Sequence, residues 1–433
     1  MRRLLHKLNK NLLLKVAGFN SVYVLIRIAI GAAMSKILAY YVGAAGMAVM
    51  GNLRNFTHGV WTFAVLGLEN GLVKSAAQHR SSKEDLKRIF NTTWTLGLVV
   101  SIFIGVGCFV YASWLDFNLI NREVSYEGVF KILGLSLPFH VIFVMLTGLF
   151  QGFEWYRKFI TLNIIVSVLL FGISAYLAFS LNLEGALYSI VLVPFLQCVA
   201  ALLFWKFSRA YSGIDLRTLF ELNLDKKTVR YLLNFSVMAL TSAVLIPLSY
   251  ILIRKQVMFV VSDTAAGWWE AVSRVSNYYM MFVTSLISLY VLPSLSKDPS
   301  VKNYRSTITH FYKSILPIVV LGLLAVFICR ELILQILFTE EFMGALPMFK
   351  WQLVGDFVKV VTSVMAFRFI AQNDLKKYLI AEVLSVASFV FFSYWLIPLY
   401  EEEGVVIAYL LNYVFYLFLL LILLRKELFV RNL

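Results

Sequence analysis

Five cations interrupt long apolar runs of this chain: Arg27, Lys36, Arg54, Arg274 and Lys359. Two acids lie at comparable positions, Asp356 and Glu382. An ionisable group among apolar residues of membrane depth is costly and is a functional candidate by default. With cations in excess, internal pairs cannot cancel them all. A water-filled cationic cavity between the two halves would accommodate them, and its natural guest is an anion with several charges, such as phosphate or pyrophosphate. Arginine suits that guest because its guanidinium offers paired N–H donors. Asp356 and Lys359 are three apart and share a helix face, so a structural ion pair competes there with a ligand-binding role. Lys74, Arg254, Lys255 and Arg368 lie nearer the ends of their runs, where long side chains reach back to water. Arg27 resists that explanation, because it sits near the middle of its run. Arg27 and Lys36 are nine apart and roughly opposite on an ideal helix. Both can face one cavity only if the helix bends or the cavity is wide.

The elements that position these groups are membrane spans. The chain has 433 residues, 60% apolar and 15% charged, with a net charge of +15. Soluble domains run about 45–50% apolar and about 25% charged. This composition excludes a soluble globular enzyme, a disordered chain and a disulfide-stapled secreted module. Stretches free of Asp, Glu, Lys and Arg at 89–115, 132–153, 159–183, 185–205, 231–253, 275–296 and 404–424 are each long enough to cross hydrocarbon. Shorter or charge-interrupted segments at about 14–42, 47–77, 306–329, 347–371 and 377–398 complete twelve helices. The predicted fold is an all-α polytopic membrane protein.

Basic residues orient it. With the N-terminus inside, 26 of the 39 Lys and Arg fall in alternate connections, and six fall in the opposite ones: Arg122, Lys131, Arg254, Lys255, Arg330 and Lys350. The positive-inside rule then places both ends in the cytoplasm. The N-terminal MRRLLHKLNKNLLLK reads as a short amphipathic surface helix rather than a cleaved signal peptide. The longest polar connection, near the midpoint, reads as a second amphipathic helix on the membrane surface. The expected organisation is therefore an N-lobe at 1–206, a cytoplasmic linker at 207–229 and a C-lobe at 230–433, with six spans in each lobe. Any repeat between them is parallel. Ala44-Ala45-Gly46 and Ala265-Ala266-Gly267 supply a trace of one, about half a chain apart.

Cys108, Cys198 and Cys329 are too scattered for a metal site or disulfide framework and read as buried small hydrophobes. No metal or cofactor is implied. No Walker motif appears, which counts against direct ATP drive. Glu340-Glu341 and Glu401-Glu402-Glu403 read as solvated loop ends rather than a catalytic constellation. Pro138, Pro194, Pro247 and Pro317 lie inside spans and permit kinks.

The run from Phe349 through Trp351-Gln-Leu-Val-Gly-Asp356 to Lys359 resembles the WQLVGD-x-x-K signature of Wzx-type O-antigen and enterobacterial-common-antigen flippases. Ala381-Glu382-Val383, Trp395-Leu396-Ile397-Pro398, Ser288 through Ser296 and Tyr250 through Lys255 are similar to that family as well. So are Gly46 through Arg54 and Asn70-Gly71 with Lys74. The resemblance is firmest in the second half. It implies the multidrug/oligosaccharidyl-lipid/polysaccharide exporter fold, two six-helix lobes around a central cavity. It implies a flippase, not an enzyme, that moves a polyprenyl-pyrophosphate-linked oligosaccharide from the cytoplasmic to the periplasmic leaflet of the bacterial inner membrane by alternating access. Carried over residue by residue, the substrate-binding set is Arg27, Arg54, Arg274 and Lys359, extended to Lys36, Asn70 and Lys74. Asp356 and Glu382 are the candidates for coupling to a proton or Na⁺. Partners would be the lipid bilayer and a polymerase or other glycan-assembly proteins, with no nucleic acid. Two alternatives remain: a multidrug/cation antiporter of the same fold, whose cavity would be dominated by acids and aromatics, and a membrane-embedded glycan-processing enzyme.

Overall fold

The computed structural model describes residues 12–79, 82–120, 124–207, 216–298 and 300–429. Arg2, Arg3, Lys7, Lys10, Arg80, Arg122, Arg209 and Arg431 lie outside them, as does most of the proposed N-terminal surface helix. The described residues form helices joined by short turns. The first group comprises α1 (Leu12–Tyr41), α2 (Gly43–Ala64), α3 (Glu69–Gln78), α4 (Lys83–Val110), α5 (Ala112–Leu119), α6 (Glu127–Gly152), α7 (Tyr156–Val191) and α8 (Val193–Phe207). After a single turn, α9 (Leu216–Leu219), come α10 (Lys226–Val260), α11 (Asp263–Leu286), α12 (Leu292–Lys297) and α13 (Val301–Ile328). The chain ends with α14 (Arg330–Leu337), α15 (Met348–Gln372), α16 (Leu375–Leu423) and α17 (Arg425–Phe429). Seven helices among the described residues are long and apolar enough to cross a membrane. The protein is a multi-pass membrane protein.

Two of the longest helices are hairpins. In α7 the backbone reverses at Asn182 (φ 49°, ψ −126°), and in α16 at Glu401 (φ 51°, ψ −128°). Both values match the first central residue of a type II′ turn. Each reversal is followed three residues later by a glycine whose missing Cβ lets the arms touch. A Cβ on Gly185 would overlap the carbonyl of Leu177, and one on Gly404 that of Leu396. Asn182, Gly185 and Leu177 each precede their counterpart by 219 residues, so one device occurs twice. Counting each arm separately makes the helix order consistent with twelve crossings. The sixth expected span is realised as the second arm of α7 followed by α8. The break falls where Pro194, in the first turn of α8, cannot continue a ladder.

The second and eighth expected spans are also interrupted. Between α2 and α3 the chain unwinds at 65–68, with Leu66 at φ 52° and Gly67 at φ 62°. Between α11 and α12 lies a five-residue π-helical turn, Ile287–Val291. The two breaks are offset by about as much as the Ala-Ala-Gly motifs.

By contacts, the chain divides into one unit of Met1–Ile30 and Asn52–Pro247 and another of Gly31–Gly51 and Leu248–Leu433. This differs from a division at 206 and 230. The α1–α2 turn belongs with the second unit, and the first part of α10 with the first. The reason is visible in side-chain packing. In the second unit Ser35 and Tyr278 share a 2.8 Å hydrogen bond, and Ala44 presses its carbonyl into the space left by Gly267. In the first unit Gly59 makes room for the carbonyl of Ala243 on α10, and Gly67 for Ala239.

The expected surface helix in the mid-chain connection is reduced, in its described part, to α9 and an extended stretch tied to α4. Asn223 N–H and Asp225 N–H donate to Thr95 Oγ1 (3.0 Å) and Thr92 Oγ1 (3.2 Å). Lys87 pairs with Glu221 at 2.8 Å, and Phe220 packs edge-on against Trp94. Asp225 then caps α10, accepting from Thr228 N–H at 2.8 Å. The Thr228 hydroxyl, donating at 2.6 Å, and then this N–H hold its carboxyl below the usual range.

Candidate functional site

Polar chemistry in the second unit gathers on α10, α11, α15 and the second arm of α16. Arg254 and Glu270 are each 1% exposed, and Arg274 9%. Arg254 Nη2 donates to Glu270 Oε2 at 2.9 Å, and Arg274 Nε donates to Glu270 Oε1 at 3.0 Å. The four-residue spacing of Glu270 and Arg274 puts them on one face of α11. Trp269 covers the guanidinium of Arg254 at 5.2 Å and is itself stacked on Tyr250, 5.5 Å away and 4° from parallel. Gly51 leaves the space: a Cβ there would come within 2.7 Å of the Glu270 carboxylate and 2.8 Å of the Arg254 guanidinium. Arg254 is thus not a helix-end residue reaching to water. It is a buried member of an Arg–Glu–Arg triad, because a carboxylate sixteen residues on offers it a partner.

Asp356 is fully buried. Its carboxylate accepts from Ser276 Oγ at 2.7 Å, from Tyr409 OH at 2.7 Å, from Tyr279 OH, and from Gln352 Nε2 at 3.3 Å. A buried carboxylate is tolerable when its lone pairs are filled in this way. Lys359, one turn along α15, lies over the rings of Tyr409 and Tyr413, 5.6 Å from each centroid. The three-residue spacing therefore gives the two side chains separate seats, one in a hydroxyl cage and one on aromatic faces.

The other candidates are placed as follows. Lys36 donates its ammonium to the carbonyls of Gln335 (2.8 Å) and Phe338, at the C-terminal end of α14, where a cation complements the helix dipole. Arg27 is exposed on α1, its guanidinium 5.6 Å from the Tyr23 ring. Arg54 is half-buried on α2, and Lys74 is exposed on α3. The backbone of Asn70 is in the first turn of α3; its side chain lies outside the described set. Glu382 is half-buried on the first arm of α16, an electrostatic neighbour of Tyr413 and Tyr416. Arg368 is 3% exposed and lies 4.9 Å over the Tyr304 ring, rather than reaching out of its span.

Three acids read from sequence as solvated have structural work. Glu341 Oε2 accepts from Ala44 N–H at 3.1 Å, in the first turn of α2. Glu403 accepts from Trp351 Nε1 at 2.7 Å and pairs with Lys350 at 2.9 Å. Glu401 forms the α16 reversal. Cys108 and Cys198 are buried as expected of small hydrophobes, whereas Cys329, at the α13–α14 junction, is exposed. Glu270 is the residue that reading by sequence missed. Its signal was available: an acid four residues before Arg274 on the same helix.

The helix order and the paired hairpins define, among the described residues, an all-α multi-pass membrane fold. An inward-facing multidrug resistance MATE family transporter superposes with a TM-score of 0.73 at 12% identity, covering 95% of this chain and 96% of that one. The lipid II flippase MurJ, in an inward closed conformation, superposes with a TM-score of 0.71 at 13% identity, covering 95% of this chain and 87% of that one. These likenesses concern the fold. The chain belongs to the polysaccharide biosynthesis protein family, whose model matches residues 54–347. The lipid III flippase of Escherichia coli (strain K12) is 28% identical over 406 residues, 93% of this chain and 96% of its own length. The lipid III flippase of Shigella flexneri matches equally.

Proposed function

We propose that this protein is a flippase for a polyprenyl-pyrophosphate-linked oligosaccharide in the bacterial inner membrane. The observation that carries this reading is the near end-to-end relation to lipid III flippases. The excess of cations inside the spans supports it. Burying bare phosphate charge in hydrocarbon costs on the order of tens of kcal/mol by Born estimates. Arginine and lysine side chains offset that cost by supplying charge-assisted hydrogen bonds. Both termini are cytoplasmic in this reading, on the strength of the basic connections. An interior-negative potential then drives the anion outward, by roughly 4–5 kcal/mol per 100 mV for about two charges.

Arg27, Arg54, Lys74 and Lys359 are the residues assigned to the pyrophosphate, with Asn70 beside Lys74 on α3. Arg274, paired with Glu270, is assigned to the same role. Lys36 was a candidate for the same role, but its bonds to the end of α14 favour a structural one. The sugar is not specified by these residues. A drug/cation antiporter of the same fold is the second reading. The balance of charge favours the first, since a cationic drug is repelled by the groups that would hold a phosphate.

The test is complementation in a cell that depends on this glycan. Arg27→Ala and Arg54→Ala are expected to lower surface glycan at normal protein level, by roughly tenfold to 150-fold if each removes one charge-assisted bond worth about 1.5–3 kcal/mol. Lys36→Gln is expected to lower protein level and leave glycan per molecule unchanged. Undiminished glycan in both arginine variants would remove the assigned role.

A further inference from the structure

Tyr409 joins the two seats on α15, the carboxylate of Asp356 and the ammonium of Lys359. On one side its hydroxyl donates to Asp356 Oδ1 at 2.7 Å. On the other its ring centroid lies 5.6 Å from Lys359 Nζ. Tyr413, one turn further along the second arm of α16 and so on the same face, supplies a second ring at the same distance. The ring of Tyr409 has little freedom. It packs edge-on to Tyr413 at 4.8 Å and to Phe389 at 6.0 Å, and both Tyr409 and Phe389 are buried. Its Cδ1 lies 2.7 Å from where a Cβ on Gly355 would stand, so the glycine before Asp356 makes the room it fills.

Asp356 and Lys359 are spaced for an ion pair along one helix face, yet they do not form one. The hydroxyls of Ser276, Tyr279 and Tyr409 and the amide of Gln352 all donate to the carboxylate. Among the described residues the Lys359 ammonium has neither a hydrogen bond nor an ion pair, only the two rings. A lysine present to neutralise Asp356 would bond it. An aromatic face attracts an ammonium without the lone-pair acceptors that would use up its three N–H donors. Lys36 is the contrast, since its donors are spent on the carbonyls of Gln335 and Phe338. Lys359 is half-buried, so its donors stay open to a ligand. A phenol that donates to a carboxylate is also polarised by it, which makes the ring richer in electrons and strengthens its hold on a cation.

We propose that Tyr409 is a positioning residue: anchored by Asp356 and boxed in by Phe389 and Gly355, it seats the Lys359 ammonium together with Tyr413 and leaves the N–H donors for a diphosphate. Asp356 is then a fixed anchor for that ring rather than the carrier of a coupling ion. Gly355, Asp356 and Lys359 act on one point, as space, anchor and cation. The use of this seat for a diphosphate rests on the flippase reading; the seat itself does not.

The seat is read without substrate. The full chain, isotopically labelled at lysine Cε, is purified into lipid nanodiscs and observed by NMR, and the Lys359 signal is identified by its absence in Lys359→Arg. Two ring faces shield its ε-protons, so the signal is expected upfield of lysines that lie on no ring. It is expected to return toward them in Tyr409→Leu and Tyr413→Leu. It is also expected to move in Tyr409→Phe and Asp356→Asn, which keep both rings and weaken the anchor. Tyr413→Leu and Tyr409→Phe carry the test if Tyr409→Leu fails to fold. The second readout is binding of inorganic pyrophosphate by the unlabelled protein. Tyr409→Leu is expected to weaken it roughly two- to thirtyfold, the span of a cation–π contact, and to have no further effect once Lys359→Gln is present. A merely structural role would instead add its loss to that of Lys359→Gln. An unshielded Lys359 in the wild type, a signal unmoved by the Tyr409 and Asp356 variants, or additive losses overturn the proposal. A shielded signal that responds as stated, with pyrophosphate binding equal in wild type and Lys359→Gln, supports the seat and counts against the place of Lys359 in the flippase reading.

Discussion

Glu270 carries two arginines, and its removal would leave both without their counter-ion in a buried place. Breaking one side of a buried pair costs about 3–5 kcal/mol. Glu270→Ala is therefore expected to lower the thermal unfolding midpoint sharply, and the double variant with Arg254→Met to recover part of the loss, measured on the purified protein. The contrast with Arg27 is instructive. Arg254 and Arg27 are both arginines in apolar runs, yet one is bound to a buried carboxylate and the other lies exposed beside a tyrosine. At Asp356 the hydroxyl cage predicts that Tyr409→Phe, which deletes one 2.7 Å donor, destabilises by about 1.5–3 kcal/mol, the worth of a hydrogen bond to a charged group. Residue type and depth were legible from sequence. The partner of each charge was not, because partners lie far along the chain: Lys36 reaches carbonyls about 300 residues away.

At the scale of elements, the two hairpins make the sharpest claims. Their glycines let the arms cross backbone to backbone, and a side chain there has nowhere to go. Gly185→Val and Gly404→Val are each expected to abolish stable expression. Glu401 holds a positive φ that glycine adopts without strain. Such strain is worth of order 1–3 kcal/mol, so Glu401→Gly is expected to raise or preserve the unfolding midpoint. The α10 cap has a pH dependence of known sign. The Asp225 carboxyl is held below its usual value by Thr228. Its contribution is complete above about pH 4, the ordinary aspartate value, and is lost as pH falls through the lowered folded value. Hydrogen-exchange protection at the start of α10, taken relative to the intrinsic rate at each pH, should therefore fall only in acid, and Asp225→Asn should remove that dependence. The interruptions in the second and eighth spans escaped hydropathy altogether, since an unwound turn and a π turn keep the apolar composition of the helix around them.

For the whole molecule, the basic residues predict orientation. Cysteines substituted for Lys227 and Lys302 are expected to react with an impermeant thiol reagent only from the cytoplasmic side, and one substituted for Lys350 only from the opposite side, in a background with Cys329 replaced because it is exposed. Labelling of Lys227 and Lys350 positions from the same side would overturn the topology.

The class of molecule was written in local properties. Apolar runs of membrane length, the alternation of basic connections and the WQLVGD stretch each act over a few dozen residues, so they survive without knowledge of the fold. What the tertiary structure decided is which charges are spent on the protein itself. Arg254 and Arg274 are bound to one glutamate, Lys36 caps a helix, and Lys359 rests on tyrosines. The cost of a charge in a membrane depends on the atoms within a few ångströms of it, and only folding brings those atoms there.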